Sequence, residues 1–277
     1  MNDNIFSGKR LLAFFPIELI CLQKRQLLYS LVMVGLLTLI ALITPLGSTY
    51  DDLLWIERIG HDPVLDELLV TYIILMFCFG CLSASIMWSE MKDKQGRIYI
   101  LMNPATIFEK FIVKFFVYVV CFLVVYILAV CFAETVRYLV YSNIYPEADV
   151  TPLYLSFSYP PETIDQIWRL SRSIEKPVLF FFCLYLMLQS FFVLGSSIWP
   201  SRSFIKTFLI FGCLTAAYFI IGAKTGSVLM TDRVGDPRWL RENSYAVYYT
   251  FTTIVTLVNW TLAYFRIPET DVITTKR

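Results

Sequence analysis

The feature of this chain that most limits its fold is a series of six apolar stretches, each about as long as a bilayer is thick. They comprise residues 27–44, 68–88, 111–133, 177–199, 204–222 and 245–265. A helix needs roughly 20 apolar residues to cross the hydrocarbon core. Because lipid offers no hydrogen bonds to the backbone, a stretch that crosses must be helical. The sequence therefore predicts an all-α, polytopic membrane protein with one six-helix transmembrane domain over residues 1–277.

Lys and Arg residues are unevenly distributed among the segments that join these stretches. If the N-terminus is cytoplasmic, that side and the adjacent span ends hold 14 of the 23 Lys and Arg residues but only 7 of the 22 Asp and Glu residues. Basic residues are enriched in cytoplasmic loops. Both termini are therefore predicted to be cytoplasmic, as six crossings require. A cleaved signal peptide is disfavoured, because 26 residues precede the first apolar stretch and no small-x-small cleavage site follows it.

Three segments outside the apolar stretches carry further structural signals. Residues 16–26 start with Pro16, which suits a first helical turn, and predict an amphipathic interfacial helix before the first span. Within the outer loop 134–176, residues 163–175 predict an amphipathic helix on the opposite surface. The last outer loop, 223–244, is compatible with a re-entrant element, which the sequence leaves open.

The segment 89–110, between the second and third stretches, is the most informative loop. Its basic residues Lys92, Lys94 and Arg97 precede a short apolar run at 98–102. At 22 residues it is longer than a helix hairpin needs. It predicts a short amphipathic element on the inner membrane face, and an ordinary connector is the alternative.

The end of this segment predicts how the third helix starts. Pro104 requires an extended residue before it. Thr106 and Glu109 have the three-residue spacing of a capping box. Lys114 lies one turn inside the third stretch and is expected to extend its amine to the headgroups.

Polar residues inside the spans suggest a candidate translocation path formed by Gln189, Ser190, Thr253 and Asn259. Helix packing is the default explanation for them, since such side chains form hydrogen bonds between membrane helices.

The sequence lacks the residues that several functional classes require. No G-x-x-x-x-G-K-[ST] motif is present, so no P-loop ATP site is expected on this chain. One histidine excludes a multi-His zinc site, and His61, Asp62 and Asp66 are interpreted as a solvated acidic loop. No span is expected to hold a buried Asp or Glu, which argues against proton coupling through carboxylates. The chain is therefore expected to hold no metal or cofactor, to be no enzyme, and to bind no nucleic acid.

The layout resembles the membrane subunit of an ABC-2-type (type V, exporter-like) ABC transporter. Residues 101–111, Leu-Met-Asn-Pro-Ala-Thr-Ile-Phe-Glu-Lys-Phe, are similar to the L-P-A-S-x-x-E-K-F stretch of small bacterial permease-like subunits of that group. Asn103 stands where leucine is usual, and Thr106 where serine is usual. Residues 264–269 also resemble the aromatic and Arg-rich exit from the last span, with Pro268 in place of the commoner lysine.

The resemblance implies a homo- or heterodimer of permease subunits in the bacterial inner membrane, seated on separate cytoplasmic ATPase subunits that bind ATP. The N-terminal helix and the 89–110 loop would contact the ATPase. The coupling residues would be Lys92, Lys94, Arg97, Met102, Asn103, Pro104, Thr106, Glu109 and Lys110. A non-transporting membrane anchor or scaffold is the alternative, and a stand-alone channel or secondary transporter is a third possibility. The substrate is left open.

Overall fold

Helices account for nearly all of the chain that the computed structural model describes, namely residues 8–46, 62, 64–102, 105–146, 150–156, 177–231 and 244–269. The long helices are α1 (Gly8–Ile43), α2 (Val64–Ile86), α3 (Lys94–Met102), α4 (Ile107–Phe115), α5 (Phe122–Ile144), α6 (Pro177–Ile198), α7 (Ser203–Thr231) and α8 (Ser244–Arg266). Short helical turns occur at Thr44–Leu46, Ser89–Lys92 and Leu153–Ser156. One π-helical turn, Phe116–Cys121, joins α4 to α5.

Five helical stretches of the described chain are long and apolar enough to cross a membrane. They are Gln26–Leu46, Glu67–Ile86, Ile107–Ile144, Leu179–Ile198 and Ser203–Ile221. The prediction of an all-α, multi-pass membrane protein is therefore confirmed. The sixth expected span coincides with α8, which has 23 residues but includes five threonines and Asn259 and is not among these five. A sixth crossing and cytoplasmic termini stay predictions.

The N-terminal helix differs from the expected interfacial helix. α1 is a single helix of 36 residues that includes Pro16 and continues into the first span. Pro16 lies in its third turn, where the ring removes one backbone hydrogen bond without ending the helix. The side chains of residues 17–25, on which the predicted amphipathic pattern depends, lie outside the described residues.

Two helices extend beyond their predicted ends. α5 runs to Ile144, so the first 11 residues of the expected outer loop 134–176 are helical. α7 continues to Thr231, so residues 223–231 are helical and not a break in the chain. Isolated glycines such as Gly222 and Gly226 are common in membrane helices, because lipid favours an uninterrupted series of backbone hydrogen bonds. The remainder of 223–244 and the expected helix at 163–175 lie outside the described residues.

The chain divides into two compact units. The first, here called the cluster unit, comprises Ser7–Gly80 and Phe115–Pro177. Its core is formed by α1, α2 and α5 and includes the fully buried Leu37, Leu68 and Ala133. Two tyrosine hydroxyls on α5 form hydrogen bonds to the neighbouring helices. Tyr126 Oη donates to the Tyr72 carbonyl of α2 at 2.6 Å, and Tyr141 Oη donates to the Leu42 carbonyl of α1 at 2.6 Å.

The second unit, here called the elbow unit, comprises Met1–Phe6, Cys81–Lys114 and Val178–Arg277. In it α6 and α7 form an antiparallel pair, with Phe191 and Phe211 rings 5.1 Å apart. α8 runs parallel to α6: Tyr248 Oη donates to the Phe180 carbonyl at 3.1 Å, and 11 residues later Asn259 Nδ2 donates to Ser190 Oγ at 2.9 Å. In a chain that crosses the membrane six times, the fourth and sixth crossings run in the same direction, as α6 and α8 do.

Candidate functional site

The segment that connects α2 to α4 folds into a compact elbow, defined here as residues 88–114. It contains the helical turn Ser89–Lys92 followed by α3. These two pieces approach so closely that a Cβ on Gly96 would collide with the carbonyl oxygen of Glu90. Glycine is therefore required at this contact, because the opposing atom is backbone and cannot rotate away.

The capping box predicted from Thr106 and Glu109 is confirmed. The Thr106 backbone N–H donates to Glu109 Oε2 at 2.9 Å, and the Glu109 N–H donates to Thr106 Oγ1 at 3.2 Å. This reciprocal pair satisfies two backbone donors that the first turn of a helix leaves open. α4 accordingly begins at Ile107, four residues before the predicted start of the third span.

Lys110 holds the two arms of the elbow together. Its side chain is buried, and Nζ donates to the carbonyl oxygen of Ile100 at 2.6 Å. The last carbonyls of a helix have no intrahelical partner, so Lys110 acts as a cap for the C-terminal end of α3. Lys110 and Glu109 are thus buried inside the elbow and do not contribute side-chain charge to an external surface.

Lys114 is placed differently from its expected position. Its amine is not exposed: only 1% of its side chain is accessible, and Nζ forms an ion pair with Glu90 Oε2 at 2.8 Å. The same amine lies 5.5 Å from the centre of the Trp88 ring, within cation–π range. The snorkelling prediction is wrong because a carboxylate from the neighbouring turn supplies the partner that the headgroups would have supplied.

The remaining predicted coupling residues are partly on the surface. Lys92 and Lys94 are exposed, and the Met102 side chain is 79% exposed although it is apolar. Arg97 is half-buried. Asn103 and Pro104 lie outside the described residues. The elbow therefore combines an internally bonded frame with two exposed amines and an exposed thioether.

The two segments that carried the family resemblance meet in the elbow unit. The Tyr264 ring, near the end of α8, lies 6.1 Å from Phe108 and 5.9 Å from Phe111, both in edge-to-face geometry. Phe111 in turn stacks on Trp88, with ring centres 6.4 Å apart. The end of α8 is thereby packed against the start of α4.

The four residues of the candidate translocation path are only partly brought together. Gln189, Ser190 and Asn259 are buried, and Asn259 bonds to Ser190, but Thr253 is exposed on another face of α8. Among the residues that the structure describes, neither amide atom of Gln189 has a hydrogen-bond partner. A buried amide without partners is costly in an apolar interior, so Gln189 is the polar side chain of this group that packing alone does not account for.

Sequence reasoning missed a buried charge cluster in the cluster unit, formed by Asp62, Tyr72, Glu134 and Arg137. Arg137 donates from Nη1 to Asp62 Oδ2 at 2.9 Å and from Nη2 and Nε to Glu134 Oε2 at 3.0 and 3.2 Å. Tyr72 Oη donates to Glu134 Oε1 at 2.8 Å. The side chains of Asp62, Glu134 and Arg137 have no exposed surface in these ion pairs.

Backbone groups complete the charge cluster. Arg137 Nη2 also donates to the Thr151 carbonyl at 2.7 Å, the Leu153 N–H to Glu134 Oε2 at 3.1 Å, and the Val64 N–H to Asp62 Oδ1 at 3.1 Å. Every carboxylate oxygen thus accepts at least one hydrogen bond. Such saturation is what a buried charge requires to be tolerated.

The charge cluster corrects two expectations. Asp62 is not part of a solvated acidic loop, because it is 1% exposed and paired with Arg137. The expectation that no span holds a buried carboxylate is wrong for Glu134, since the helix of the third span continues through it. The signal was present as Glu134 and Arg137, three residues apart and thus on one helix face, directly after a long apolar stretch.

No family model matches this chain, and no curated protein or solved structure matches it either. Within the described residues, no group of three or more His, Cys, Asp or Glu side chains is arranged to hold a metal ion. The geometry of the elbow and of the buried polar residues is therefore the basis for assigning a function.

Proposed function

We propose that this chain is the membrane-spanning permease subunit of an ATP-driven ABC exporter, and that ATP is bound and hydrolysed by a separate ATPase chain. The observation that carries the proposal is the elbow between α2 and α4. Five helices suited to a membrane supply the transport domain, and the elbow supplies a rigid element between two of them against which a partner could push.

Rigidity is the property that a coupling element needs. Polar interactions fix the elbow: the Lys114–Glu90 ion pair joins α4 to the turn after α2, and the capping box and Lys110 order the start of α4. A displacement of α3 would then reach α4 through the hydrogen bond from Lys110 to Ile100, and the turn after α2 through the close contact of Gly96 with the Glu90 carbonyl. A flexible connector would absorb the same displacement.

The exposed side chains of the elbow indicate which side chains a partner ATPase should present to it. Lys92 and Lys94 offer two positive charges, and Met102 offers an adaptable apolar side chain of the kind used at binding surfaces. We infer that the ATPase presents carboxylates around an apolar recess to this face. The N-terminal part of α1 is proposed as a second contact, the other permease subunit as a further partner, and the bacterial inner membrane as the location.

The test is a pull-down of the tagged chain from mild detergent, followed by mass spectrometry and an ATPase assay. A stoichiometric P-loop ATPase in the eluate is expected. An eluate with no nucleotide-binding partner would contradict the proposal and favour a membrane anchor or scaffold. ATP-independent transport by the purified chain in liposomes would instead favour a channel or secondary transporter.

A further inference from the structure

The elbow contains hydrogen-bond donors that the described part of the chain leaves without acceptors. Arg97 Nε and Ser89 Oγ are both buried and have no hydrogen-bond partner within the described ranges. The amines of Lys92 and Lys94 form no ion pair with any described carboxylate. Buried donors without acceptors are rare in folded proteins, so Arg97 and Ser89 call for an acceptor that is not a residue of the described chain.

The carboxylates of the elbow do not compensate these cations. Glu90 is engaged by Lys114, and Glu109 accepts the Thr106 N–H in the capping box. Asp93 is then the one carboxylate left in this stretch against Lys92, Lys94 and Arg97. The local excess of positive charge favours a ligand that is an anion with several acceptor oxygens.

The position of the elbow indicates the source of that anion. It joins the ends of two helices suited to a membrane, Glu67–Ile86 and Ile107–Ile144. Met102 and Phe108 expose apolar surface beside the basic residues. Basic groups at the end of a membrane helix, next to exposed apolar side chains, suit the phosphate of a lipid whose acyl chains lie along the helices.

We propose that the elbow binds the phosphate headgroup of an anionic phospholipid. Arg97 and Ser89 donate hydrogen bonds to its phosphate oxygens, and Lys92 and Lys94 add charge attraction. This site shares Lys92 and Lys94 with the proposed ATPase contact, whereas Arg97 and Ser89 are assigned to the lipid alone, and lipid binding is measured on this chain without the ATPase.

The experiment measures lipid binding to the purified full chain in nanodiscs and by native mass spectrometry. Probes are phosphatidylglycerol and phosphatidylcholine, with inorganic phosphate as a soluble competitor. Selective retention of phosphatidylglycerol is expected, with about fivefold weaker retention for each basic residue removed. Arg97→Gln should lose selectivity, whereas Arg202→Gln, which removes one exposed charge from the turn before α7, should retain it.

Three outcomes would overturn the proposal. The first is equal retention of phosphatidylcholine and phosphatidylglycerol. The second is equal loss in Arg97→Gln and Arg202→Gln, which would indicate general charge attraction. The third is displacement by millimolar inorganic phosphate with no lipid preference, which would indicate a soluble anion. If Arg97→Gln fails to fold, the exposed pair Lys92→Gln/Lys94→Gln decides between the same outcomes, and Arg97→Lys should restore part of the selectivity.

Discussion

Arg137 and Asp62 lie 75 residues apart in the chain and form an ion pair of 2.9 Å in which both side chains are fully buried. Through Glu134 and Tyr72 the same guanidinium links α5 to α2, and through the Thr151 carbonyl it reaches the segment after α5. The charge cluster therefore links parts of the cluster unit that also pack together in its apolar core.

Replacing Arg137 by Ala should destabilise the chain severely. Two carboxylates would then remain buried without their cation, a situation that costs roughly 3–5 kcal/mol. Thermal unfolding in detergent measures the loss. Arg266→Ala is the matched control, since its pair with Glu269 is exposed and surface pairs contribute at most about 1 kcal/mol. Similar unfolding temperatures for Arg137→Ala and Arg266→Ala would show that the charge cluster does not stabilise the fold.

Tyr72→Phe should lower stability by about 1–3 kcal/mol, because Glu134 Oε1 loses the hydroxyl that donates to it. Tyr138→Phe makes the same chemical change at a partly exposed position of α5 and should be nearly neutral. A double-mutant cycle with Glu134→Gln measures the coupling between the two side chains. Additive effects in that cycle would argue against a direct interaction.

Gly96→Ala should disrupt the elbow, because the new Cβ collides with the Glu90 carbonyl. Forcing extra volume into a packed contact costs about 1–3 kcal/mol, and weaker association with the ATPase is expected to accompany it. Gly212→Ala is the control: no described atom outside its own stretch of helix lies within 4 Å of the added Cβ, so this variant should be neutral or slightly stabilised. If Gly96→Ala leaves both stability and association unchanged, the elbow tolerates a rearrangement that the proposed coupling excludes.

Charge reversal at Lys92 and Lys94 should weaken ATPase association at least about tenfold, because like charges would face each other across the contact. Unfolding temperature should not change, since both side chains are exposed. Lys206→Glu reverses an exposed charge on α7 and serves as the control. Co-purification at fixed detergent and salt provides the measurement, and undiminished association of the double reversal would remove these residues from the contact.

Gln189→Leu should raise stability by roughly 1 kcal/mol, because it removes a buried amide that has no hydrogen-bond partner in the described part of the chain. Substrate efflux, by contrast, should fall if the amide serves transport. Thr253→Val, at an exposed position of α8, should alter neither quantity. Lower stability of Gln189→Leu would mean that the amide contributes to packing, and Gln189 would then be excluded from the translocation path.

Local sequence patterns predicted the features that depend on interactions between residues close together in the chain. Helical spans follow from apolar length, because a backbone in lipid has no other way to satisfy its polar groups. The Thr106–Glu109 capping box was also readable, since both partners lie within one turn of the chain. Helix ends were less predictable: α5 and α7 both continue past the point where apolar composition fades.

The tertiary structure decided what each charged side chain does. Lys110, Lys114, Asp62 and Glu134 each look like a surface charge in the sequence, and each is buried against a partner contributed by another element. Sequence separation between these partners ranges from 10 to 75 residues, beyond any local spacing rule. The sequence by itself determined that this chain is helical and suited to a membrane. Which charges are buried depends on which helices meet, because a buried ion is tolerated only where an opposite charge or a hydrogen-bond partner arrives with it.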